Sequence, residues 1–340
     1  MHIAMIAPPW YEIPPTGYGG IEAMCADLSD GLVDRGHKVT LISAGRNGTR
    51  AHQLRTYDRP QSDRLGSDPL PEVVHLSRAN RLIADLDVDV VHDHTLSGPL
   101  SAGSRPAPTV VTVHSPVEGE EGEYYEYLGD SVRLVAISQS QRSHRPDLSW
   151  VATVHNGLDP GRYPFHAEKD DFVVWLGRFT PEKGPNLAVH AAREAGVHLV
   201  LAGKCSESAE EAYLDSEIRP HLTDGVRLVL DADRDAVGDL LSRARCLLLP
   251  VRWEEPFGMV LIEAMACGTP VVTLRRGAIP EIVEHGVTGY VLDDPAELPE
   301  ALTKAGDLDR HACRRRVEEQ FSTAAMAAGY ERAYQAALRS

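Results

Sequence analysis

Short apolar runs, hydrophobic at successive rather than alternate positions, recur along most of the chain and alternate with helix-length segments. That is the pattern of parallel strands covered by helices on both faces. In the first half it predicts strands at Ile3 to Ala7, Val39 to Ser43, Val88 to His92, Thr109 to Val113, Leu134 to Ile137 and Val151 to Val154. The second half repeats the theme at Phe172 to Leu176, His198 to Ala202, Arg227 to Leu230, Cys246 to Val251, Val271 to Leu274 and Gly289 to Leu292. Between the halves, the Asn-Gly, Asp-Pro and Tyr-Pro dipeptides of Asn156 to Asp171 mark an open connection that reads as a hinge. The final segment, Ser322 to Leu338, has helical composition with Ser322 as its expected N-cap. Two stretches break the rhythm. Residues 45–72 are rich in Arg, Asp, Gly and Pro and predict a mobile surface loop. Residues 118–127 combine a carboxylate cluster with Tyr124, Tyr125 and Tyr127, which predicts either a solvated acidic loop or an aromatic platform for an acceptor.

Length and charge narrow the classes. A chain of 340 residues suits two domains, each large enough to bury its own core. Lys and Arg total 34 against 50 Asp and Glu, a net charge of −16, which disfavours nucleic acid and anionic lipid as partners. The five cysteines form no C-x-x-C pair and lie mostly in apolar segments, as packed reduced thiols do. Met1 to Pro9 lacks a cationic leader region and reads as a first core strand. No stretch approaches the roughly 20 apolar residues of a membrane span. A soluble cytoplasmic protein is expected.

The candidate chemistry clusters after predicted strands, where ligands of open parallel sheets collect. In Glu255-Pro-Phe257-Gly258-Met259-Val-Leu-Ile-Glu263, Pro256 and Gly258 end one strand and Met259 to Ala266 predicts a helix. Its first amides and positive dipole end make an anion site, with phosphate the usual occupant. Glu263 puts a charge on an apolar helix and so calls for a partner. Arg178 and Lys183, beside Gly177 and Gly184, place two cations after the strand Phe172 to Leu176. Aimed at a departing diphosphate, such cations stabilise its growing charge and take the place of a metal. His114 follows the strand Thr109 to Val113, and Gly17-Tyr-Gly19-Gly20-Ile-Glu22 opens the first helix. As a dinucleotide fingerprint the glycine loop is incomplete, with Glu22 where the third glycine belongs. Asp231-Ala-Asp233 and Asp87-Val-Asp89 have the spacing of a metal-binding aspartate pair without its surroundings, and no Gly-x-Ser-x-Gly elbow of a serine hydrolase is present. Glu255 and Glu263 also allow a glycosidase by spacing alone, but the neighbouring cations favour phosphate.

The glutamate-x7-glutamate segment, continuing through Gly268-Thr-Pro-Val-Val to Gly277-Ala-Ile-Pro-Glu281 and Gly286-Val-Thr-Gly289, resembles the signature of retaining glycosyltransferases of the GT-B fold, family GT4. Gly177 to Gly184, Val154-His-Asn156-Gly157-Leu-Asp159 and Val110 to His114 resemble that family's diphosphate loop, interdomain segment and active-site histidine. The resemblance implies an α/β fold of two Rossmann-like doubly wound parallel-sheet domains facing a deep cleft. Residues 1–160 would form the acceptor side, residues 165–321 the nucleotide-sugar domain, and residues 322–340 a helix crossing back to the first. It further implies Arg178, Lys183, Glu255 and His114 as catalytic residues, with Gly19, Gly20, Phe257, Gly258, Met259 and Glu263 binding the donor. His92-Asp93-His94 matches another family segment, read as mainly structural with Asp93 and His94 toward the acceptor, and Ser138 and Asn156 match positions near the cleft. The expected co-substrate is a nucleoside diphosphate sugar, UDP favoured, with no metal and no other cofactor. The expected acceptor is a soluble saccharide or a natural-product aglycone, as in antibiotic biosynthesis. Asp231-Ala-Asp-Arg-Asp235 and Leu274-Arg275-Arg276 depart from the family pattern and leave room for an unusual donor sugar. A nicotinamide-dependent oxidoreductase or epimerase and a non-catalytic nucleotide-sugar binding protein remain as alternatives.

Overall fold

The computed structural model describes every residue except Tyr18, Ser206, Asp224 and Ser340. The Tyr18 position of the glycine loop therefore lies outside the described residues. The chain divides into two units, Met1–Gly157 with Thr323–Ser340, and Leu158–Ser322.

The first unit is built on strands β1 (His2–Ile6), β2 (Lys38–Ala44), β3 (His52–Tyr57), β4 (Val90–Asp93), β5 (Thr109–Val113), β6 (Val132–Ala136) and β7 (Trp150–Thr153). They form one sheet in the order β3-β2-β1-β4-β5-β6-β7, every pair parallel. The central strands are buried on both faces, which is why they read as unbroken apolar runs. β1 lies between β2 and β4, so the strand order reverses there and opens a crevice at the carboxyl ends of β1 and β4.

Two expectations fail in this unit. Residues 45–72 are not a featureless loop: they hold β3, a short 3₁₀ turn at Ser62–Arg64 and the start of the helix Leu70–Ala84. β3 is an edge strand, half-exposed along most of its length, so its sequence HQLRTY needs no apolar run. Residues 118–127 are not a loop either but most of a helix, Gly119–Leu128. That helix buries Tyr125, and Tyr124 donates its hydroxyl to the Leu96 carbonyl at 2.5 Å. Only Tyr127 stands fully out, so the three tyrosines make no flat platform.

The final helix, Thr323–Ala337, packs on the helix Gly20–Asp34 of the same unit. Small residues permit this. A Cβ on Gly31 would lie 2.7 Å from Thr323 Cγ2, and where the final helix crosses the end of β7 one on Gly329 would lie 2.7 Å from Val154 Cγ1. Met24, Cys25, Leu28, Tyr330 and Tyr334 share one core cluster at this contact.

The second unit holds β8 (Phe172–Arg178), β9 (His198–Lys204), β10 (Val226–Leu230), β11 (Cys246–Leu249), β12 (Val271–Leu274) and β13 (Gly289–Leu292). Their order is β10-β9-β8-β11-β12-β13, again all parallel. Here the reversal falls between β8 and β11. It brings together the segments after two strands that are far apart in sequence.

Candidate active site

In the second unit, Lys183 sits in a tight turn after β8. Gly184 takes the left-handed conformation at φ +65°, and a Cβ there would lie 2.2 Å from the Pro250 carbonyl oxygen. Only glycine lets the turn press against the segment after β11. The Arg252 amide locks them together by donating to the Glu182 carbonyl at 2.7 Å, and Trp175 Nε1 of β8 ties the turn to its own strand by donating to the Lys183 carbonyl at 3.1 Å. The outcome is a contact between two of the expected residues: Lys183 Nζ lies 2.6 Å from Glu255 Oε2. Trp253 supports both, its indole N–H donating to the same carboxylate oxygen at 3.0 Å and its ring lying 4.8 Å from the ammonium. The Glu255 side chain is only 7% exposed, so the pair acts through little solvent.

Gly277 holds Glu255 from the other side. It adopts φ +53°, and a Cβ would fall 2.3 Å from the Glu255 carbonyl oxygen and 2.5 Å from its nitrogen. The Gly277 amide donates to Glu254 Oε2 at 2.6 Å, and the Ala278 amide to the Glu255 carbonyl at 2.9 Å. Segments after β8, β11 and β12 thus converge on one residue, the first two on its carboxylate and the third on its main chain.

Three residues beyond Glu255, Gly258 turns left-handed at φ +89° and starts the helix Met259–Ala266. Phe257 is buried with its ring edge toward Phe321, while Gly258, Met259 and Val260 stay half-exposed. Glu263, on that helix, is half-buried rather than sealed in, and it accepts from the Tyr163 hydroxyl at 3.3 Å. Arg234 in turn reaches that hydroxyl at 3.3 Å.

Arg178 differs from its expected place in a loop. It is the last residue of β8, and its guanidinium lies 3.4 Å from Glu207 and 3.3 Å from Glu210. Those two glutamates form the capping box of the helix Ser208–Tyr213. In this structure the two cations therefore face different carboxylates. Asp233 likewise caps a helix, accepting from the Ala236 amide at 2.8 Å, and Asp231 takes the left-handed conformation beside it.

In the first unit, His94 follows β4 and His114 follows β5, and their rings meet, Nδ1 of His94 lying 3.0 Å from Nε2 of His114. His92 lies against His94 with ring centroids 4.0 Å apart. It is held by Thr112 Oγ1 at 2.8 Å and by the Tyr334 hydroxyl at 2.8 Å. Burial drives all three imidazoles toward the neutral form, His114 to about 4, His92 to about 3 and His94 well below its usual range. Asp93 does not line an acceptor surface. It is fully buried in an ion pair with Arg105 at 2.8 Å and accepts from Thr95 as well. Ser138 is spent on capping, accepting from the Gln141 amide at 3.0 Å. Asn156 is buried, its side-chain oxygen without a partner among the described residues.

Gly19 precedes the helix Gly20–Asp34 at φ +149°, and a Cβ there would crowd Pro15 at 3.0 Å and Glu22 Oε2 at 3.2 Å. A Cβ on Gly20 would meet nothing within 4 Å, so the chain's own packing does not require glycine at that place. Glu22 fills the position of the missing third glycine. It is 4% exposed, and burial raises its carboxyl to about 7. Trp253, Glu254, Tyr163 and Glu22 were not among the expected site residues.

Comparison with known proteins identifies the family. The model described as Glycosyltransferase Family 4 matches residues 18–162, and that described as Glycosyl transferases group 1 matches residues 163–320. The N-acetyl-alpha-D-glucosaminyl L-malate synthase of Bacillus anthracis is 31% identical over 375 aligned residues, covering 94% of this chain and 95% of the relative. The glycogen synthase of Mycobacterium tuberculosis is 26% identical across 100% of this chain and 95% of its own. Among solved structures, AviGT4, a glycosyltransferase involved in Avilamycin A biosynthesis, superposes with a TM-score of 0.77 at 24% identity, covering 100% of this chain and 98% of that one. No helix among the described residues is long and apolar enough to cross a membrane. The chain belongs to the GT4-type glycosyltransferases, group 1, with two parallel-sheet domains of the GT-B fold.

Proposed function

We propose that this glycosyltransferase moves a sugar, with retention of anomeric configuration and without a metal ion, from a nucleoside diphosphate sugar to a hydroxyl of a soluble saccharide or natural-product acceptor. The observation that carries the reading is the contact of Lys183 with Glu255 just before the Gly258 helix start. A cation, a carboxylate and a helix N-terminus side by side suit a ligand that is anionic at one end and a polyol at the other.

Lys183, Arg178 and the amides of Phe257, Gly258 and Met259 receive the diphosphate. As it docks, Lys183 exchanges the Glu255 carboxylate for phosphate oxygens, and Glu255 turns to hydroxyls of the transferred sugar. Glu263 accepts from the ribose diol, as it now accepts from Tyr163. Gly19 and Gly20 keep their expected role toward the donor, and His114 its role in positioning donor sugar or acceptor. The bond from the anomeric carbon to the phosphate oxygen breaks, and the acceptor oxygen bonds to that carbon on the same face. The acceptor's proton passes to the departing phosphate oxygen. Positive charge aimed at that oxygen stabilises the transition state more than the ground state.

UDP heads the candidate nucleotides. A thermal-shift series with UDP, GDP, ADP and TDP tests the donor class, with a rise in melting temperature expected for one diphosphate. No rise with any of them would remove the proposal. Turnover in excess chelator should match that in its absence, and proton spectra of the product should show the donor's own anomer.

A further inference from the structure

Three imidazoles share a small volume of the first unit, and their hydrogen bonds determine where the protons sit. His92 has no freedom left. Its Nδ1 meets the Tyr334 hydroxyl and its Nε2 the Thr112 hydroxyl, which is itself 2.9 Å from the Tyr330 hydroxyl. Both tyrosines come from the final helix. His94, 3% exposed, packs against this clamped ring at a tilt of 51° and makes its contact with His114 through Nδ1. The other nitrogen of His94, Nε2, is buried without a partner among the described residues.

Both rings of the His94–His114 pair are neutral at physiological pH, because burial disfavours their charged forms. One proton therefore lies between them, and two arrangements are open. If His114 Nε2 owned it, the proton of His94 would be on its own Nε2, a buried N–H with no acceptor. If His94 Nδ1 owns it, Nε2 of His94 is a bare lone pair. Orphaned buried N–H groups are the rarer of the two in native proteins. We infer that His94 is a positioning residue: it donates from Nδ1 to His114 Nε2 and holds His114 as the tautomer protonated on Nδ1.

His114 then presents an N–H to its surroundings. No described residue takes a hydrogen bond from that nitrogen, and it is not among the sealed-off polar atoms. A fixed donor there suits an oxygen of the transferred sugar and is useless as a general base. The tautomer follows from the geometry alone, whereas its catalytic consequence rests on the proposed role of His114. The His92 clamp keeps the arrangement in register, since any movement of His92 shifts the ring packed against it.

The test is a long-range proton–nitrogen correlation spectrum of the full-length protein labelled at histidine nitrogens, with His114 assigned through His114→Ala. The proposal expects a proton on His114 Nδ1 and none on Nε2. In His94→Phe, which keeps a ring over His92 but has no donor, that preference should vanish. Turnover should fall about tenfold to a hundredfold, the range found for partners that orient metal-ligating histidines, with the donor KM changed less than about threefold. A proton on His114 Nε2 in the unmodified protein overturns the inference whether or not His94→Phe folds, and an unchanged tautomer in a folded His94→Phe overturns it as well. Full activity in His114→Ala would instead remove the role of His114 and leave the tautomer standing.

Discussion

The ammonium of Lys183 and the carboxylate of Glu255 lie 2.6 Å apart although 72 residues separate them. They meet because β8 and β11 are neighbours in the sheet while β9 and β10 lie on the other side of β8. The pair is a candidate switch: each partner neutralises the other until a ligand offers a better match to both.

Lys183→Ala should therefore do two separable things. Loss of a preorganised cation should lower kcat by about 10²-fold or more. It also leaves Glu255 buried with the Trp253 indole as its remaining side-chain partner, at a stability cost of about 1 to 3 kcal/mol. Adding Glu255→Gln should restore part of the stability and none of the turnover. Denaturant melts of the single and double variants, read as a mutant cycle, check the first point, and steady-state rates check the second.

Arg178→Ala gives the contrasting case. Its guanidinium is 44% exposed and faces Glu207 and Glu210, so stability should change by under about 1 kcal/mol. If Arg178 also serves the diphosphate, turnover should still fall by about 10²-fold. Wild-type rates in this variant would confine it to capping.

Glu263→Gln should weaken nucleotide binding by about tenfold to a hundredfold, because hydrogen bonds to a charged acceptor are worth about 1.5 to 3 kcal/mol. Tyr163→Phe, which removes one hydrogen bond to that carboxylate, should leave affinity within about threefold. Isothermal titration with the nucleotide that gives the thermal shift decides between them.

Glu22 makes stability depend on pH in an unusual direction. Its carboxyl is raised to about 7 from an ordinary 4.5, so between those values the folded chain holds a proton that the unfolded chain has released. Stability then falls as pH rises through that window, by an amount on the order of 3 kcal/mol for this group alone. Glu22→Gln should flatten the loss. Its melting temperature should exceed that of the parent at pH 8 and match it at pH 5.

Three histidines of the first unit act with the opposite sign at lower pH. His75, His92 and His114 are depressed to about 4, 3 and 4, so below about 6.5 the unfolded chain gains protons that the folded chain refuses. Stability should be lost progressively from pH 6.5 toward pH 4. Urea midpoints across that range, compared with those of His75→Phe, measure one residue's share.

Much of the fold was legible because parallel strands must be apolar on both faces. Thr109–Val113 and Val271–Leu274 are bounded in the structure where the sequence predicts them. His52–Tyr57 was invisible because an edge strand carries no such demand, and Gly119–Leu128 because a helix with one deeply buried tyrosine shows little period. The candidate residues were legible singly, through their positions after strands. Their pairings were not. Strand order decides that Lys183 meets Glu255 and that His94 meets His114, and strand order is not a local property. Trp253 and Tyr163 were missed for the same reason, since each acts only as a neighbour of a residue distant or charged.

The helix Thr323–Ala337 belongs to the unit that begins at Met1, and its two tyrosines complete the polar floor under His94. During synthesis, strands β1 to β7 leave the ribosome long before their last covering helix exists. The second unit, contiguous in sequence, has every residue of its core by Ser322. The half made first is thus the half finished last, and its exposed apolar groove must wait, in newly made chains, for the closing fifteen-residue helix.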